Sequence, residues 1–126
     1  MLVAVDDEPL LLRSLKRSLA RSFDMVSYET AEEAIARVRA GGVSVVLSDV
    51  SMPGMSGLEL LRAIKEYDPA LPVILTSGAP EPEVGEKALE EGAFRYLPKP
   101  FEARDLVPLV QQALVLYRLA KLRRNG

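Results

Sequence analysis

The 126-residue chain contains no cysteine and no histidine. Without thiols it forms no disulfide and no thiolate metal site. Without imidazole it builds neither a zinc finger nor a cysteine–histidine or serine–histidine nucleophile pair. Any metal ion must therefore be held by oxygen. Long apolar runs are also missing, so nothing in the chain reads as a bilayer span. The start, Met1-Leu2-Val3-Ala4-Val5 followed directly by Asp6, lacks the basic residues and small-residue cleavage site of a signal peptide, and the expected location is cytoplasmic. Neither GxxxxGK(S/T) nor GxGxxG occurs, which removes the glycine-rich nucleotide-binding loops. Acidic residues stop at Asp105, whereas Arg118, Lys121, Arg123 and Arg124 close the chain. Residues 1–117 thus carry 12 basic against 18 acidic side chains, a balance of −6 and a poor surface for nucleic acid. No direct nucleic-acid or membrane partner is expected.

What remains is 48% hydrophobic and 27% charged, as in an ordinary globular domain, and the length fits one domain. Leu2 to Val5 is a short continuous apolar run, the pattern of a strand buried on both faces. Pro9 suits a first helical turn, and Leu11, Leu12, Leu15 and Leu19 follow at helical spacing. Met25, Val26 and Tyr28 make a short second strand. Thr30 to Glu33 reads as a capping box, and Gly41-Gly42 ends that second helix. Val43, Val45, Val46 and Leu47 give the strongest strand signal, with Asp49 at its C-terminal end. A second capping box, Ser56 to Glu59, opens a helix through Leu58, Leu61 and Ile64. Val73 to Leu75 make strand four, ending at Thr76-Ser77-Gly78. A helix over about Glu83 to Gly92 and a strand at Phe94 to Leu97 lead to Lys99-Pro100. The last helix buries Ala103, Leu106, Val107, Val110, Ala113, Leu114 and Tyr117, and Pro108 requires it either to start late, with Asp105 as cap, or to kink. Leu109, Leu116 and Leu119 form a second apolar stripe on it. Five strand-then-helix units with short connections predict a parallel sheet covered on both faces.

In such a sheet ligands sit beyond the C-terminal strand ends. Asp6 and Asp7 end strand one, Asp49 ends strand three, Thr76 ends strand four and Lys99 follows strand five. Taken singly, each has an ordinary structural reading: an acidic helix start, a turn residue, a loop hydroxyl, a solvated lysine. Together they converge. Three adjacent carboxylates repel unless a cation neutralises them, and magnesium suits such oxygen donors. A lysine and a hydroxyl beside that ion complete a site for a phosphoryl group.

These residues resemble the receiver domain of two-component response regulators. The likeness runs from Val3 to about Tyr117 and is carried by Val5-Asp6-Asp7-Glu8-Pro9, by Leu47 to Gly57, by Leu75-Thr76-Ser77-Gly78 and by Tyr96-Leu97-Pro98-Lys99-Pro100-Phe101. It implies a doubly wound, flavodoxin-like sheet of order 2-1-3-4-5 and a signalling role rather than an enzymatic one. By position, Asp49 is the phosphoacceptor for a sensor histidine kinase or phosphotransfer protein. Asp6, Asp7, Asp49 and the carbonyl of Ser51 are the magnesium ligands, and Lys99 pairs with the phosphate or with Asp49. Thr76 swings its hydroxyl to the phosphate, Tyr96 moves from exposed to buried as the switch, and Lys99–Pro100 is cis. The surface switched is helix four, strand five and helix five, about Glu83 to Tyr117, where a homodimer partner or an output domain docks. Residues 1–117 are then the receiver and 118–126 a basic extension or linker stub.

Ser51 and Gly78, two residues after Asp49 and Thr76, are smaller than the family often carries at the first of these places, leaving room for attacking water. Ser51 also argues against a haloacid-dehalogenase-like phosphatase, which needs a second aspartate there as general acid. The remaining alternative is a receiver-like docking module that is never phosphorylated.

Overall fold

A computed structural model describes residues 1–79 and 81–125. Its elements run β1 (Leu2–Val5), α1 (Pro9–Leu19), β2 (Met25–Tyr28), α2 (Ala31–Arg39), β3 (Val45–Asp49), α3 (Gly57–Tyr67), β4 (Val73–Ser77), α4 (Pro82–Glu90), β5 (Arg95–Pro98) and α5 (Ala103–Asn125). All strands are parallel, in the order β2-β1-β3-β4-β5. β1, β3 and β4 are buried along their whole length.

The two-residue period of these strands divides the apolar side chains into two cores. Val3, Val5, Val46, Val73 and Leu75 point to α2, α3 and α4, packing with Ala34, Ile35, Leu60, Leu61, Ile64 and Ala88. Leu2, Ala4, Val45, Leu47 and Ile74 point the other way, to Leu12, Leu15 and Leu19 of α1 and Leu106, Val110 and Ala113 of α5. Ser56 and Glu59 make the reciprocal box expected of them, whereas at Thr30 only half of one forms: its hydroxyl accepts the Glu33 N–H and donates to the Glu33 carboxylate.

Four elements have boundaries that differ from the sequence expectation. β3 begins at Val45, not Val43, because the Ser44 N–H turns to the Met1 carbonyl; Val43 is buried without joining the ladder. β5 lies one residue later than expected, and α4 starts one residue and ends two residues earlier. α5 starts early rather than late: Asp105 is its third residue, and its carboxylate accepts the Glu102 N–H at 2.9 Å. The helix runs on through Pro108, which is exposed, and the missing N–H there leaves the Arg104 carbonyl without its helical partner. Leu109 leaves the expected stripe and packs on the α1/α5 core, while Val115, Leu116, Leu119 and Leu122 stay exposed.

Tyr117 also departs from the simple pattern. It lies on α5 yet joins the core of the opposite face, passing the N-terminal end of the sheet. There its hydroxyl donates to Asp68 Oδ2 at 2.6 Å, and Arg124 Nη2 and the Ala70 N–H donate to Oδ1 at 2.7 and 3.1 Å. Burial alone would raise the Asp68 carboxyl, but these three donors outweigh it and hold it below its ordinary value. Burial and the neighbouring carboxylate push the Tyr117 hydroxyl up to about 12.

A carboxyl depressed on folding contributes stability that is complete above its unfolded pKa and is lost as the pH falls through the lower folded value. Asp68→Ala is therefore expected to cost about 2 kcal/mol at neutral pH, mainly by leaving the Tyr117 hydroxyl without its acceptor. Denaturant unfolding at several pH values should show the gap between variant and wild type shrinking below about pH 4.

Candidate functional site

Because the strands are parallel, every residue that follows a strand emerges at the same edge of the sheet. β1 delivers Asp6 and Asp7 immediately beyond Val5, and Asp49 is the last residue of β3. In the β3–β4 ladder Asp49 lies opposite Thr76, and Ser77 opposite Pro98 brings Lys99 to the same place. One carboxylate oxygen from each of Asp6, Asp7 and Asp49 lies within 4.8 Å of the others. Lys99 Nζ sits 2.8 Å from Asp6 Oδ2, 3.0 Å from Asp49 Oδ2 and 3.8 Å from Glu8 Oε1.

The charges set the chemistry. Burial pushes the Asp6 carboxyl above its ordinary value; the Lys99 ammonium and the Glu8 N–H offset only part of that, and the Asp49 charge adds to it. For Lys99, burial opposes the ammonium, but its bonds to Asp6 and Asp49 outweigh burial and hold its pKa above the ordinary lysine value. Three carboxylates against one ammonium leave two negative charges at an edge where Asp6 and Asp49 are buried and Asp7 is open to solvent. An oxygen-only donor set with that charge fits a hard divalent cation.

Further groups shape the site. Asp6 Oδ1 accepts the Glu8 N–H at 2.9 Å, and Asp49 Oδ1 accepts the Ser51 N–H at 3.1 Å. Glu8, rather than Asp6 or Asp7, is the N-cap of α1, so the acidic pair is not spent on helix capping. The Thr76 hydroxyl is buried and donates only a long bond, 3.5 Å, to the Ser48 carbonyl. Ser51 and Gly78 are both exposed. An open depression of about 580 Å³ lies beside Asp7 and Ser51, lined further by Met52, Pro53 and Ser56.

All five strand-end residues named from sequence thus meet at one edge, with Ser51 beside them. The Lys99–Pro100 bond is cis. Tyr96 is half-buried, with its hydroxyl buried and unpartnered among the described residues. Gly85 of α4 makes this possible, since a Cβ there would come within 2.9 Å of the Tyr96 ring. From the sequence Gly57 reads only as part of the turn and motif after Asp49; in the structure it starts α3 pressed against the end of β3. A Cβ on it would collide with the Asp49 carbonyl and lie 2.8 Å from Val50 Cα. A glycine directly after a helix-capping serine was the available signal.

Residues 2–111 match the family model for the response regulator receiver domain. The chain is 38% identical over 122 residues to the DNA-binding transcriptional regulator NtrC of Salmonella typhimurium, covering 96% of this chain and 26% of that protein. It is 35% identical to the C4-dicarboxylate transport transcriptional regulatory protein DctD of Rhizobium meliloti, with the same coverages. The chain therefore spans about a quarter of the length of these relatives. Among solved structures, a response regulator receiver domain protein from Clostridium thermocellum superposes with a TM-score of 0.88 at 30% identity, over 94% of this chain and 97% of that one. NtrX from Brucella abortus superposes at 0.87 and 28% identity, over 98% of this chain and 28% of that one.

The close approach at Gly57 yields a test. Gly57→Ala should destabilise by about 1–3 kcal/mol through overpacking, although its backbone angles suit alanine. Because the displaced atoms belong to Asp49 and Val50, divalent-cation affinity should fall with the melting temperature, as titration of the folded variant would show.

Proposed function

The chain belongs to the response regulator receiver family of two-component signalling, and on that footing we propose that Asp49 accepts a phosphoryl group in a magnesium-dependent reaction from the phosphohistidine of a sensor histidine kinase or phosphotransfer protein. The observation that carries this reading is that carboxylate oxygens of Asp6, Asp7 and Asp49 gather within 4.8 Å of one another, with Lys99 ion-paired to Asp6 and Asp49. Asp7, Asp49 and the Ser51 carbonyl would hold the magnesium, with Asp6 directly or through water. When bound, the ion supplies positive charge to the oxygens of the transferring group.

The residues of the chain do the rest. An Asp49 carboxylate oxygen forms a bond to phosphorus as the phosphorus–nitrogen bond to the donor imidazole breaks, the electron pair leaving with the nitrogen. The Lys99 ammonium is already beside Asp49 and pairs with the incoming charge. The Thr76 hydroxyl gives up little when it leaves its long bond to Ser48 for a phosphoryl oxygen. In the return step water attacks phosphorus, the bond to Asp49 breaks, and inorganic phosphate and the carboxylate are regenerated. This self-directed chemistry serves regulation, not turnover of an external substrate.

Phosphorylation replaces the single negative charge of the Asp49 carboxylate with a phosphoryl group carrying about 1.5–2 negative charges and three acceptor oxygens, next to Thr76 and Lys99. New contacts there bias the surface formed by α4, β5 and α5, with Tyr96 as its switch residue. Exposed Leu89, Val115, Leu116 and Leu119 on that surface support a homodimer partner or an output domain of a longer chain. We place the receiver unit at residues 1–117 and take 118–126 as its basic extension. Among the described residues no helix is long and apolar enough to cross a membrane, in keeping with a cytoplasmic regulator. A docking module that is never phosphorylated would have no use for the Lys99-bridged carboxylates.

Intact-protein mass spectrometry after incubation with magnesium and a small-molecule phosphodonor should show one added phosphoryl group. The adduct should be absent without magnesium and absent in Asp49→Ala; an adduct that survives in that variant would refute the assignment. The exposed, short side chain of Ser51 leaves the phosphoryl group open to water. Ser51→Arg should therefore slow loss of the adduct severalfold, and an unchanged rate would show that shielding at this position does not set the lifetime.

A further inference from the structure

Glu32 stands apart from the strand ends, at the second position of α2, yet it reaches the loop that follows Asp49. Its Oε1 accepts the Met55 N–H at 2.8 Å across 23 residues of sequence. Gly54, just before, has φ +75, and a Cβ there would come within 2.9 Å of the same oxygen. The carboxylate packs against the bare side of the turn and holds its amide at once. That N–H keeps the Glu32 carboxyl below its ordinary value.

The segment so held is 50–56. At its near end the Val50 N–H bonds to the Thr76 carbonyl and the Ser51 N–H to Asp49. At its far end Ser56 is fixed by the α3 capping box. Among the described residues Met52, Pro53 and Gly54 make no hydrogen bond, so between Ser51 and Ser56 the Glu32 carboxylate is the polar tether to the body of the domain. We infer that Glu32 is a positioning residue for the Asp49 site: by holding Met55 it sets the course of the loop and so the place of Ser51 beside Asp49. This rests on the reading of Asp7, Asp49 and Ser51 as magnesium ligands. The role is that of a hydrogen-bond acceptor rather than a charge, which distinguishes it from the site carboxylates.

The test compares the full chain with Glu32→Ala and Glu32→Gln, using magnesium alone as the probe. Removal of a tether behind a ligand should weaken magnesium binding about 10-fold in Glu32→Ala. Hydrogen exchange at the Met55 amide should quicken while the melting temperature stays near that of wild type. Glu32→Gln, which keeps an acceptor oxygen without the charge, should restore both readings. Unchanged magnesium affinity in Glu32→Ala with an unprotected Met55 amide would overturn the inference, and an equal loss in Glu32→Gln would replace positioning by plain electrostatics and overturn it too. Magnesium bound as tightly by Asp7→Asn as by wild type would instead overturn the site reading and this inference with it.

Discussion

Three carboxylates left free in water would move apart, and the organisation of this domain turns on their being unable to. Asp6, Asp7 and Asp49 are tied to strands whose apolar side chains fill two cores at once, so moving a carboxylate means unregistering a strand. The repulsion is therefore borne by the whole sheet. Lys99 relieves part of it, and its position depends in turn on β5 pairing with β4. A site with two uncompensated negative charges, held on a frame that cannot relax, is poised to take up positive charge and then a phosphoryl group. That is pre-organisation by the fold rather than by any one contact.

Much of this was legible in the sequence because one rule wrote it: a short run of buried residues followed by a polar one. Leu2–Val5 before Asp6, Val45–Ser48 before Asp49 and Val73–Leu75 before Thr76 each obey it, and the parallel order brings the polar residues to one edge. The start of β3 was less legible because Val43 is as apolar as a strand residue, and only the bond from Ser44 to Met1 shows that the ladder has not begun. Pro108 was hard for a similar reason. Its tolerance depends on which side of α5 meets water, a property of the packed molecule.

The groups that escaped notice are those whose meaning lies in a second element. Gly85 is a weak helix residue until the Tyr96 ring is seen against it, and Gly57 is an ordinary helix start until the Asp49 carbonyl is seen behind it. Glu32 belongs to the same class. An exposed glutamate in the first turn of a helix is so well explained by the helix dipole that nothing in the sequence hints at a loop 23 residues away.

Tyr117 gives the domain a mechanical property of its own. A five-stranded sheet between two helical layers could come apart in halves, each layer peeling away with its own core. Here the closing helix packs on one layer through Leu106, Val110 and Ala113 and then, through Tyr117 and Asp68, is pinned to the other. α5 cannot detach from its own face without also surrendering a buried ring on the far side. The last helix of the chain thereby shares the cooperative unit of the central strands instead of fraying ahead of them.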